Sequence, residues 1–184
     1  MLRILFVLLS MFAASCVNTQ SYMGETSGPL ARLRVAVPQA AGDHLVIVRS
    51  FTSAECTGAT EWMRLGNALI VPGSSKRMGM PLWEYKDTGA RELDVRAESE
   101  LFLLLDASKF SGASVYSCAV PVAVSLEEGR DYEMVFHWPS NNTCVVEMSE
   151  IVETSVGHER AKRTVFPNYG TKGCVEVFKT WRFI

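Results

Sequence analysis

Alternating apolar and polar residues run through most of the chain beyond its N-terminal region, and this pattern predicts β-strands. The first strand spans 33–37 and is expected to stop at Pro38, because proline is poorly tolerated inside a sheet. Helix is expected at most as one or two turns in 59–68, where Gly66 weakens it. About eight or nine short strands with turns between them are typical of a sandwich or barrel. The predicted strands cover 33–37, 44–51, 68–71, 93–97, 101–105, 120–126, 132–138, 144–152 and 174–183.

One turn-and-strand motif favours the sandwich. Leu126, Gly129 and Tyr132 follow the spacing L-x-x-G-x-x-Y, and an alternating strand comes next. This spacing resembles the tyrosine corner of Greek-key β-sandwiches, in which the tyrosine hydroxyl bonds to backbone a few residues upstream. A plain hairpin that ends on a tyrosine is the alternative. We expect an all-β, antiparallel sandwich of immunoglobulin-like or transthyretin-like type. One face of strand 132–138 should lie in its core, namely Tyr132, Met134, Phe136 and Trp138.

The N-terminal residues follow a different pattern, that of an export signal. One positive charge at Arg3 precedes a short apolar stretch, and small residues then lead to Cys16. The apolar stretch 4–12 is far shorter than the roughly 20 residues that span a bilayer. Small residues before a cysteine resemble the lipobox of bacterial lipoproteins. The resemblance implies removal of a signal peptide, lipidation of Cys16 with palmitate-type acyl chains and, because Val17 follows, sorting to the outer membrane.

A competing interpretation comes from Ala13, which stands where a lipobox usually carries leucine. Ala13-Ala14-Ser15 also fits an ordinary cleavage site, whose use would release a soluble protein. The cysteine count favours the lipobox. Of the five cysteines, lipidation of Cys16 leaves an even number, which suits disulfide bonding in an oxidising compartment.

Three segments follow from the lipobox interpretation. They are a signal peptide at 1–15, a lipidated N-terminus with a flexible tether at 16–29, and a single β-sandwich domain at 30–184. The tether is rich in Gly, Ser, Thr and Asn and offers little to bury. Fully extended, it would reach roughly 45 Å and hold the domain clear of a lipid surface.

We expect two disulfides among Cys56, Cys118, Cys144 and Cys174. The strand from Cys144 can turn near 155–158 and return, which brings Cys174 close to its start. This favours the pairs Cys144–Cys174 and Cys56–Cys118, each stabilising the fold by about 3–4 kcal/mol. A metal site is the alternative use of these cysteines, but no C-x-x-C or H-x-x-x-H spacing supports it.

Charge and motifs argue against several function classes. A net charge of −2 and a pI near 5.9 disfavour a nucleic-acid partner, which would need a basic stripe. The sequence has no nucleophile elbow, zinc-protease motif or nucleotide-binding fingerprint. His137 shares a predicted outer strand face with Glu133, a pair that acid–base chemistry could use, but a plain surface histidine is the simpler interpretation. We therefore predict no catalytic residue, no cofactor and no metal.

A loop rich in aromatic residues is the best candidate for a contact surface. Met80, Leu82, Trp83 and Tyr85 are expected to lie together in the segment 78–85. Aromatic side chains of this kind favour contacts with proteins or ligands. The alternative is that Met80, Leu82 and Trp83 cap one end of the core.

Together these patterns predict a non-catalytic lipoprotein of the bacterial cell envelope. It would be anchored by lipid in the outer membrane, face the periplasm, and serve an envelope protein as an accessory, adaptor or scaffold module. Small sandwich lipoproteins of type VI secretion assemblies are similar in size and architecture, although no motif places this chain among them. The alternative is an inhibitor of a periplasmic enzyme, acting as lysozyme inhibitors do. An enzyme of unrecognised type is the third hypothesis, and it needs a pocket of converging polar groups.

Overall fold

A computed structural model describes residues 22, 24–38, 44–66, 76–85, 89–140 and 143–163. These residues form nine β-strands and no helix, which confirms the all-β prediction. Within these ranges there is accordingly no helix of the length and apolarity that crossing a membrane requires. The strands are β1 (Leu30–Ala36), β2 (His44–Phe51), β3 (Thr60–Gly66), β4 (Ala90–Arg96), β5 (Glu100–Ser111), β6 (Ser114–Ser125), β7 (Asp131–Ser140), β8 (Thr143–Thr154) and β9 (Gly157–Arg163).

The described strands pair into two sheets. The five-stranded sheet has the order β4-β1-β7-β8-β9, and the four-stranded sheet has the order β3-β2-β5-β6. Strand pairs are antiparallel except β1 with β7, which run parallel. In a constant-type immunoglobulin sandwich, the first, second, fourth and fifth strands share one sheet. Here β1 and β2 lie in different sheets, so the strand order differs from that of the constant-type immunoglobulin sandwich.

The core lies between the two sheets and is built from the alternating apolar positions of the strands. Leu33 and Val35 on β1 and Val46 and Val48 on β2 are fully buried there. The β7 residues predicted for the core are all buried, which confirms that face of the strand; they are Tyr132, Met134, Phe136 and Trp138. The predicted alternation therefore holds on the strands that meet at the centre of the sandwich.

The tyrosine corner is present. The backbone N–H of Glu127 donates a hydrogen bond of 3.1 Å to the Tyr132 hydroxyl. Gly129 between them has φ +73°, a left-handed conformation that favours glycine, and its N–H donates to the Leu30 carbonyl at 2.8 Å. This loop therefore ties the start of β7 to the start of β1, and it is more than a plain hairpin.

The helical turn expected in 59–68 is wrong, because β3 occupies Thr60–Gly66. Pairing with β2 buries Trp62, Met63 and Leu65, and this burial outweighs a weak local preference for helix. The predicted strands 68–71 and 174–183 lie outside the described residues.

Both predicted disulfide pairings are wrong. Cys118 on β6 is bonded to Cys144 on β8, with their Cα atoms 6.2 Å apart, so the bond joins the two sheets. The edge strand β6 faces β8 across the sandwich, and the sequence alone does not show which strands face each other. Cys56 is also disulfide-bonded, and Cys174 lies outside the described residues.

The last part of the predicted tether lies against the domain. The Glu25 N–H donates to the Asp94 carbonyl at 3.0 Å, and the Tyr22 ring stacks on Trp62 with centroids 5.1 Å apart. Residues 16–21 of that segment, including Cys16, lie outside the described residues. The domain therefore includes residues that precede the predicted boundary at residue 30.

Candidate functional site

The outer face of the five-stranded sheet carries a row of charged residues. Arg34 on β1 lies opposite Glu92 on β4 and Glu133 on β7 in the strand registers. Because side chains alternate along a strand, these residues point away from the core that Leu33 and Val35 enter. Their side chains are nevertheless buried, with exposed fractions of 0% for Arg34 and Glu92 and 1% for Glu133. Another part of the chain must therefore cover them.

Residues 76–85, which we call the strap, cover this row of charges. The strap starts at the edge of β4, where the Glu92 N–H donates to the Lys76 carbonyl at 2.8 Å. The Glu92 carboxylate accepts hydrogen bonds from the N–H groups of Met78 and Met80, the second at 3.4 Å. One backbone–backbone hydrogen bond and two hydrogen bonds to the Glu92 carboxylate thus attach the first half of the strap to the sheet.

The guanidinium of Arg34 holds the middle of the strap. It donates to two groups of acceptors. One is the pair of carboxylates of Glu92 and Glu133 on the sheet, and the other is three consecutive carbonyls of the strap. The carboxylate contacts measure 2.8 Å and 3.1 Å to Glu92 and 2.7 Å to Glu133. The carbonyl contacts measure 2.9 Å to Met80, 2.7 Å to Pro81 and 3.1 Å to Leu82. Such a fan of acceptors matches the planar fork of donors that only arginine carries.

Arg160 on β9 holds the far end of the strap. It donates to the Glu133 carboxylate, to the Leu82 carbonyl at 3.0 Å and to the Glu84 carboxylate at 2.9 Å. Leu82 has φ +58°, a left-handed conformation that costs energy in a residue other than glycine. The Leu82 carbonyl accepts hydrogen bonds from both Arg34 and Arg160. Buried Arg34 and half-buried Arg160 therefore both stabilise the strained residue.

The two buried carboxylates of this cluster are matched by two cations, and the exposed Glu84 carboxylate also contacts Arg160. Arg34 and Arg160 face the carboxylates of Glu92 and Glu133. Burial by itself raises the pKa of Glu133, but hydrogen bonds from Arg160 and Arg34 outweigh it and leave that pKa below its usual value. The hydrogen bond to Glu133 in turn raises the pKa of Arg160. Buried ions are costly unless they are paired and hydrogen-bonded, and in this cluster each buried charge has such partners.

Two aromatic residues form the outer part of the strap. Trp83 and Tyr85 meet edge to face with ring centroids 6.1 Å apart. The Trp83 ring also lies near two guanidinium groups, 5.3 Å from that of Arg34 and 4.5 Å from that of Arg77. Burial, and after it the negative charge of Glu133, raises the pKa of Tyr85 to about 12. Both rings are half-buried.

The structure brings the predicted contact-loop residues together, although in an unexpected place. Met80 is buried, and Leu82, Trp83 and Tyr85 are half-buried in the strap. They cover the outer face of a sheet, so they do not cap an end of the core. Sequence reasoning missed Arg34, because a charged residue on the polar face of a strand is normally read as solvated.

His137 and Glu133 do not form the pair that acid–base chemistry would use. Glu133 is occupied by Arg34 and Arg160, while His137 Nε2 lies 3.7 Å from the Glu147 carboxylate.

Glu92 and Arg160 complete the cluster from positions far away in sequence. Glu92 lies just before the predicted strand 93–97, and no motif in the sequence singled out either residue.

A second concave feature lies between the sheets. A groove of about 670 Å³ opens beside β6 and β9, with Met148 and Ala123 among its apolar lining and Arg163 at its rim. Arg163 is paired with Glu150 and lies 3.5 Å from Glu127. Glu100 and Lys162 also line the groove, so it carries charges of both signs. Over the described residues, no three or more His, Cys, Asp or Glu side chains are grouped to hold a metal ion.

No protein-family model matches the chain, and no curated protein or solved structure is significantly similar to it. Chemically, the cluster is suited to fixing a backbone conformation. Its ionisable groups form ion pairs with one another and are not directed at an open pocket.

Proposed function

We propose that this protein is a non-catalytic, lipid-anchored module of the bacterial cell envelope that binds a protein partner through the strap. It would act as an accessory, adaptor or scaffold. The observation that carries the proposal is the use of a fully buried arginine to hold three consecutive strap carbonyls. Buried ion clusters are costly, and one that fixes a surface loop is best explained by a need for that loop's shape.

Pre-organisation explains how a fixed loop aids binding. A loop that is ordered before binding loses little conformational entropy when a partner docks. Trp83 and Tyr85 are held by each other and by the cluster below them, and aromatic anchors of this kind dominate interface energies. Arg77 and Glu84 are exposed beside them and would form a polar rim.

The membrane part of the proposal rests on the sequence. The lipobox-like residues that end at Cys16 support a lipid anchor in the outer membrane. The cysteine count allows this interpretation, because Cys118 and Cys144 pair with each other and a bond from Cys56 to Cys174 would leave Cys16 for the lipid. An oxidising compartment such as the periplasm favours such bonds.

Inhibition of a periplasmic enzyme is the second candidate, and the rigidity of the strap favours it. An inhibitory loop must stay in one conformation while it occupies a catalytic cleft, and the strained Leu82 is held in this way. The strap lies along the sheet with Met80 buried and Leu82 half-buried. This flat arrangement suits a broad contact surface better than insertion into a cleft.

A crosslinking pull-down from the native envelope tests the proposal. Wild-type protein is compared with Trp83→Ala, which removes the aromatic anchor, and with Phe110→Ala. Phe110 is a matched control because it is an exposed aromatic residue, 42% exposed, at the far end of β5. We expect one partner to be lost with Trp83→Ala and kept with Phe110→Ala. If both variants retain every partner, the strap is not the contact surface.

A further inference from the structure

The chain enters the domain through a fixed contact at Tyr22. The Tyr22 ring lies parallel to that of Trp62 on β3, with an angle of 8° between the planes, and Trp62 is itself part of the core. The Tyr22 hydroxyl donates to Glu25 at 2.9 Å. Arg91 on β4 donates to the Tyr22 carbonyl at 3.1 Å. Both the ring and the backbone of Tyr22 are thus held by the domain.

The next residues are bonded to the edge of β4. Gly24 has φ +95°, and a Cβ there would lie only 3.0 Å from the Asp94 carbonyl oxygen, so only glycine fits without strain. Glu25 donates its N–H to that same carbonyl and lies 3.8 Å from the Arg96 guanidinium. The segment therefore contacts β3 of one sheet and β4 of the other.

From these contacts we infer that the domain is held within about 20 Å of the lipid bilayer surface, with its β3–β4 edge toward the headgroups. The inference rests on the proposed lipid anchor at Cys16. With Tyr22 docked, the chain from Cys16 to the domain reaches at most about 20 Å at 3.3–3.6 Å per residue. A tether that was free up to Pro29 would reach roughly 45 Å.

This placement also positions the strap. The strap is attached at Glu92, and the N-terminal segment is attached at the neighbouring residue Arg91 on the same strand. Consecutive Cα atoms are about 3.8 Å apart. The strap therefore begins next to the membrane-facing edge, and a partner that binds it must itself come close to the bilayer.

Neutron reflectometry on a supported bilayer of phosphatidylethanolamine and phosphatidylglycerol tests the inference. The lipidated wild type is compared with Tyr22→Ala, with Tyr22→Phe, and with a variant carrying a ten-residue Gly-Ser insertion before residue 21. High surface coverage is used because crowding extends the tethers. We expect a hydrated gap of no more than about 20 Å between headgroups and protein for wild type and Tyr22→Phe. The gap should widen for Tyr22→Ala and for the insertion.

Two results would overturn the inference while leaving the anchor in place. One is a gap clearly wider than about 20 Å for lipidated wild type. The other is an unchanged gap for Tyr22→Ala when the insertion variant does widen it. Mass spectrometry of the N-terminal peptide separates these cases from failure of the proposed anchor. If Cys16 carries no lipid, the anchor is refuted and this inference falls with it.

Discussion

Arg34 shows how much one buried residue determines in this molecule. It contacts two carboxylates and three carbonyls with no exposure to solvent. A lysine has the same charge but donates from a single nitrogen, and it cannot reach acceptors on both sides at once. The geometry of the guanidinium, more than its charge, therefore fixes the strap.

Replacing Arg34 by lysine should destabilise the protein strongly. Lysine keeps the positive charge but leaves several buried acceptors without a donor, and each unsatisfied buried polar group costs about 1–3 kcal/mol. We expect Arg34→Lys to lose at least the cost of one such group in the free energy of unfolding measured with urea. Arg49→Lys is a suitable control, because Arg49 pairs with Asp106 at 3.2 Å in a site that is partly open to solvent. Equal stability of Arg34→Lys and wild type would contradict the role given to Arg34.

Glu133 should make the fold sensitive to acid. Its pKa in the folded protein lies below the ordinary value of 4.5, so its stabilising contribution is complete above that value. The contribution is lost as the pH falls through the lowered pKa of the folded state. Arg160→Gln removes one of the two cations that lower this pKa.

The free energy of unfolding of wild type and of Arg160→Gln, measured as a function of pH, checks this prediction. We expect unfolding free energy to decline below about pH 4.5 in wild type, and the decline to be complete at a higher pH in Arg160→Gln. The Arg160→Gln profile is first corrected for the variant's overall loss of stability. If it then superimposes on the wild-type profile, Arg160 does not control the titration of Glu133.

At the scale of elements, the inter-sheet disulfide determines how β6 and β8 are held together. The Cys118–Cys144 bond closes a loop of sequence separation 26. On the chain-entropy model, its removal by Cys118→Ala with Cys144→Ala should lower the unfolding free energy by about 3–4 kcal/mol. Val115→Ala with Val145→Ala, two exposed residues on the same strands, provides the control.

Peptide mapping under non-reducing conditions tests the pairing directly. We expect a linked pair of peptides that contain Cys118 and Cys144. If Cys16 is lipidated, the cysteine count also predicts a Cys56–Cys174 link. A peptide pair joining Cys144 to Cys174 would contradict the observed bond and restore the pairing expected from the sequence.

Elements also show where sequence reasoning succeeds. Strand β7 was predicted with its buried face because its alternation is strict and one face is wholly apolar. Strand β3 was missed because 59–68 lacks that alternation, and its pairing with β2 decides its conformation. Local pattern therefore predicts strands that carry their own signal, whereas tertiary pairing determines the others.

At the scale of the whole molecule, the class of fold was predictable and the site only in part. The number of strands and the tyrosine corner indicated a sandwich. The loop around Trp83 was singled out for its aromatic residues. Its attachment to Arg34 was not predictable. Glu92 and Glu133, which pair with Arg34, lie 58 and 99 positions away from it in the sequence. Only the strand order brings them together.

Site-specific photocrosslinking in the native envelope is the most direct test of the strap as the binding surface. A photoreactive amino acid is placed at exposed Glu84 in the strap and, in a second variant, at Val115, which is 61% exposed on β6. We predict a discrete crosslinked protein from position 84 that is absent from position 115. Crosslinks from position 115 alone, from a protein that remains in the membrane fraction, would contradict the proposal that the strap binds the partner.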